Sequence, residues 1–60
     1  MTLNLDPNLP DPDGFYDALL RAHAGRTEAE SAAFTLRLLL ILANHIGDPA
    51  ILGAAIDAAD

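Results

Sequence analysis

Cysteine and lysine are both missing from this 60-residue chain, and each absence removes a class of answers. Without cysteine there is no disulfide framework and no thiolate zinc site. Without lysine, three arginines stand against nine acidic residues, and the formal charge is −6. That balance repels nucleic-acid phosphate and anionic headgroups, so neither nucleic acid nor membrane is expected as a partner. Long apolar runs are missing too: the longest, Leu38 to Ala43, is bounded by Arg37 and Asn44 and falls far short of the roughly 20 residues that span a bilayer. Met1 to Asp13 holds no basic side chain and no apolar stretch, which leaves a secretory leader or transit peptide unexpected and the cytoplasm as the expected compartment.

What is present is a short, apolar chain. At 52% hydrophobic residues it is too apolar for intrinsic disorder. Sixty residues make one small domain, 1–60, too short to enclose a substrate pocket and still keep a core, so an enzyme is not expected. A compact monomer of this mass would expose roughly 3,700 Å², against roughly 9,100 Å² for the unfolded chain, a ratio at which domains are marginal. With disulfides and thiolate metals excluded, association is the remedy that remains.

The expected fold is all-α behind an extended N-terminal arm. In residues 1–10 two prolines and two asparagines accompany Leu3, Leu5 and Leu9, spaced as an extended segment spaces them. Asp11-Pro12 is a helix start, with an aspartate acceptor at the N-cap and proline where no amide is missed. The first helix is predicted from about residue 12 to 24, with Phe15, Ala18, Leu19 and Ala22 on one face and Gly25 as its stop. Thr27 and Glu30 form a capping box that opens a second helix, about 28–46, closed by Gly47. The short turn between them favours an antiparallel helical hairpin. Asp48-Pro49 repeats the start signal and launches a third helix, about 49–58.

The middle helix carries two apolar stripes: Ala32, Leu36, Leu39, Ala43 and Ile46 on one side, and Phe34, Leu38, Ile41, Leu42 and His45 on another. Apolar residues nearly all round a helix require burial on several sides, more than two short helices supply. The expected interface is therefore centred on Phe34, Leu38, Ile41, Leu42 and His45, with a two-fold homodimer as the commonest closed solution and higher oligomers as further possibilities. A compact three-helix monomer in which both stripes are core competes with it, as does a subunit that folds only on its partner.

Residues that could carry chemistry mostly explain themselves structurally. Asn44, His45 and Asp48 gather at the end of the second helix, but Asp48 is an N-cap and His45 complements the dipole. An antiparallel hairpin would set His23 and His45 at opposite ends of a helix of about 28 Å, so no metal site is expected. Ser31 has no adjacent base and no glycine-rich loop precedes a helix, which removes nucleophilic catalysis and phosphate binding. No cofactor is expected. The alternative to pure protein contact is a small hydrophobic or aromatic molecule held between subunits near His45 and Phe34.

The run Leu42-Ala43-Asn44-His45-Ile46-Gly47-Asp48, with Pro7-Asn8, Asp11-Pro12-Asp13, Phe15-Tyr16 and Ala22-His23 before it in order, resembles a bacterial family of short uncharacterised proteins, domain of unknown function family 2783. The resemblance covers nearly the whole chain. That family has no assigned activity, and its genes tend to lie beside flavin-dependent aromatic hydroxylases and other enzymes of aromatic-compound breakdown. The resemblance therefore implies an accessory or small-subunit role; on the residues themselves, the arm leucines Leu3, Leu5 and Leu9 are the expected docking contacts on a larger cytoplasmic oxidoreductase.

Overall fold

Local capping chemistry sets the helices, and the computed structural model, which describes residues 2–60, places three of them: α1 (Pro12–His23), α2 (Glu28–Ile46) and α3 (Pro49–Ala59). No strand occurs among the described residues. Each helix begins at an expected cap. The Asp11 carboxylate accepts the Gly14 amide at 3.0 Å, and the Asp48 carboxylate accepts the Ala50 amide at 2.9 Å. At α2 both halves of the capping box form: the Glu30 amide donates to the Thr27 hydroxyl at 3.1 Å, and the Thr27 amide donates to the Glu30 carboxylate at 2.8 Å. These bonds satisfy amide groups that the helix leaves without partners.

The stops are as local as the starts. Gly47 has φ 75°, in the left-handed region that favours glycine, and its amide closes onto the Ala43 carbonyl at 2.9 Å. α1 ends at His23, within the expected limits, and Gly25 follows at φ 78°. Arg26 finishes that turn twice over. Its amide donates to the His23 carbonyl at 3.1 Å and its Nε donates to the Ala22 carbonyl at 2.8 Å.

Packing between the helices is sparse. α2 and α3 touch, and Ile51 to Ala55 of α3 are half-buried. α1 reaches α2 where the His23 ring meets the Phe34 ring edge to face, with centroids 5.1 Å apart. No described residue is buried, so a self-sufficient three-helix core is not what one chain builds. The accessible surface is 5210 Å², roughly 1,500 Å² more than a compact chain of this mass exposes. The radius of gyration, 13.3 Å, exceeds the roughly 10 Å of a compact 60-residue chain.

Candidate interaction surface

The two stripes of α2 meet different surroundings. Phe34 and Leu38, four residues apart on one face, are half-buried, and Phe34 packs against α1 and the turn: His23 lies edge to face and the Arg26 guanidinium sits 4.7 Å from the ring centroid. Ile41, Leu42 and His45, expected with them at the interface, are exposed. The five residues thus divide between intrachain packing and open surface.

The other stripe faces α3. Leu39, Leu40 and Ala43 of α2 line a groove of about 490 Å³ with Leu52, Ala55, Ile56 and Ala59 of α3. Leu36 continues that face one turn toward the N-terminus, at the i, i+3, i+4, i+7 spacing of a single helix surface. None of the seven lining side chains can donate or accept a hydrogen bond or carries a charge. Leu39 and Leu40 are 58% and 60% exposed, and Ile56 is 72% exposed. The half of this surface on α3 was not singled out from the sequence as interface, although Leu52, Ile56 and Ala59 recur at four and three.

A polar line separates the stripes. Glu30, Arg37 and Asn44, seven residues apart in succession, run along one flank of α2, and all three are exposed. The Glu30 carboxyl is held below its ordinary value, first by the Thr27 backbone amide and then by the Thr27 hydroxyl; desolvation opposes them, and the Arg26 charge adds the least. Arg37 has no ion-pair partner; among the described residues the one salt bridge is the exposed pair Arg21–Asp17 on α1.

The arm offers a second apolar element. Leu3 is half-buried, whereas Leu5 is 78% exposed and Leu9 is also open to solvent. The Asp6 amide donates to the Asn4 side-chain carbonyl at 3.0 Å, which fixes a local turn of the arm.

Among the described residues no three histidine, aspartate or glutamate side chains gather where they could hold a metal ion. Asp48 is engaged as the α3 cap, and His45 stands exposed in the last turn of α2. By length and composition alone α2 could cross a bilayer. Its midpoint, however, is Arg37, and its first turn holds Glu28 and Glu30; a cation at the centre of a membrane helix costs about 3 kcal/mol or more.

Neither the curated proteins nor the solved structures contain a match to this chain. Residues 3–60 match the model of a family described as protein of unknown function (DUF2783). A match over nearly the full length makes the chain a member of that family.

Proposed function

We infer that this chain acts by protein–protein contact and that its first partner is a second copy of itself, joined through α2. The observation that carries the reading is the absence of any buried residue among the described residues of a chain whose three helix starts are all capped by side chains. Local order is complete, yet the apolar area left exposed is what a folded domain ordinarily covers. Homodimerisation, with α1 and α2 as an antiparallel pair in each subunit, supplies the missing interior; the unpaired Arg37 at the helix midpoint favours a water-soluble assembly over a membrane-spanning one.

The second partner is a larger cytoplasmic oxidoreductase, a flavin-dependent aromatic hydroxylase or a related enzyme. That class comes from the family resemblance, and the exposed Leu5 and Leu9 of the arm are the contacts it would use. The chain itself contributes no catalytic residue to this reading.

Self-association is tested by thermal melting followed at the helical circular dichroism band over a hundredfold concentration range. A midpoint that rises with concentration is expected, because mass action stabilises only the associated state; a cooperative melt independent of concentration contradicts it. The accessory role is tested by co-purification with a flavin-dependent aromatic hydroxylase from the same genome, comparing the wild type with the Leu5→Asp, Leu9→Asp double variant. Equal recovery of both forms contradicts docking by the arm.

A further inference from the structure

We propose that two copies meet face to face through the groove between α2 and α3, with Leu39, Leu40 and Ala43 of one helix and Leu52, Ile56 and Ala59 of the other forming the shared interior. The proposal rests on the self-association reading and specifies which side of α2 carries it.

Area selects the occupant. The chain exposes 5210 Å², an excess of roughly 1,500 Å² over a compact chain of its mass. A standard interface takes about 800 Å² from each partner, and obligate homodimers take more. A partner of comparable size that takes about 800 Å² on this side removes roughly half of that excess, and an interface of obligate-homodimer size removes more. No arm residue lines the groove, and Leu5 and Leu9 remain exposed.

Charge does not oppose a second copy at this face. Two chains of charge −6 repel, and an isologous contact places each residue type near its own copy at the axis. The groove lining carries no charge, so the acids stay away from the centre when the face meets itself. The opposite stripe is less suited: Phe34 is already engaged by His23 and Arg26, and His45 would bring a polar ring to the contact. A small ligand fits poorly as well, because sites for such molecules pair an apolar lining with a few polar groups that fix orientation, and this lining offers none.

The test compares dimer dissociation constants by sedimentation equilibrium for the wild type, Leu39→Glu, Ile56→Glu and Ile41→Glu, with helix content checked on each. Leu39, Ile56 and Ile41 are all exposed in one chain, so the substitutions act on association before they act on the fold. The expected result is a loss of at least about 100-fold in dimer affinity for Leu39→Glu and Ile56→Glu, and a change below about threefold for Ile41→Glu. A second readout uses the lack of cysteine: Ile56→Cys should give crosslinked dimer with a short bis-maleimide and Ile41→Cys should not. Undiminished dimerisation of Ile56→Glu, or dissociation by Ile41→Glu alone, overturns the groove while leaving self-association standing. A monomeric wild type overturns both.

Discussion

The Arg26 guanidinium lies 4.7 Å from the centroid of the Phe34 ring while its Nε holds the Ala22 carbonyl at 2.8 Å, so one side chain closes α1 and caps an aromatic face of α2. With His23 edge-on to the same ring, this is where the first two helices are tied. Truncating Phe34 or Arg26 to alanine should each destabilise the fold, and the double variant should lose less than the sum. The coupling expected for an exposed cation–π pair is about 0.5–1 kcal/mol, read from denaturant melts of the four-protein cycle. Additive losses would mean that the two groups do not interact.

Gly14 is where it is because of Asp11. A Cβ at Gly14 would collide with the capping carboxylate, so Gly14→Ala gains helix propensity and displaces the cap at once. Each effect is about 1 kcal/mol, and the single substitution should be close to neutral in the wild type. In an Asp11→Ala background it should stabilise by about 1 kcal/mol, because no cap remains to be lost. Equal effects in both backgrounds would refute the coupling.

Two other glycines should respond with opposite signs. Gly47 sits at φ 75° as the stop of α2, and Gly47→Ala should cost about 1 kcal/mol. Gly53, inside α3 with open space beside its Cα, should gain up to about 1 kcal/mol when replaced by alanine. Melting of the two variants under matched concentrations checks the pair, since association shifts the midpoint as well.

Glu30 makes the start of α2 sensitive to acid. Its folded pKa lies below its unfolded value, so its contribution is fully present above the unfolded value and is lost as pH falls through the lowered folded one. Wild-type stability should therefore decline across the carboxylate range, and its advantage over Glu30→Gln should shrink there, because glutamine accepts the Thr27 amide without titrating. A pH series of melts reads this; a constant gap between the two proteins would show that Glu30 carries no such linkage.

Much of the fold was legible in the sequence because helix boundaries are local events. Asp11-Pro12, the Thr27–Glu30 box, Gly47 and Asp48-Pro49 each act through groups within three or four residues, and each does what its spacing implies. α3 runs on to Ala59, slightly past the expected end, where the Asp60 amide still reaches the Asp57 carbonyl. The surface was harder to read. Both stripes of α2 are apolar at helical spacing, so periodicity alone cannot tell which one the neighbouring helices take. That choice follows from the turn at Gly25, which brings Arg26 and His23 onto Phe34, and from the direction in which α3 leaves Gly47. Leu38 consequently lies on the face that α1 approaches, and Leu39 and Leu40 line the open groove.

The surface alleles should separate cleanly from the silent ones. Asp17→Ala removes an exposed i, i+4 ion pair with Arg21 and should change stability by no more than about 0.5 kcal/mol, whichever face carries the association. A larger loss on a denaturant melt would show that the pair does more than an exposed helix pair does.

The central claim is that a chain with capped helix starts and no buried residue among those described completes its interior with another copy. Light scattering coupled to size exclusion, on the untagged chain over a hundredfold range of concentration, measures this most directly. The account predicts a stable mass of twice the 6.3 kDa chain or a higher whole multiple. A helical protein that keeps the mass of a single chain throughout would contradict it.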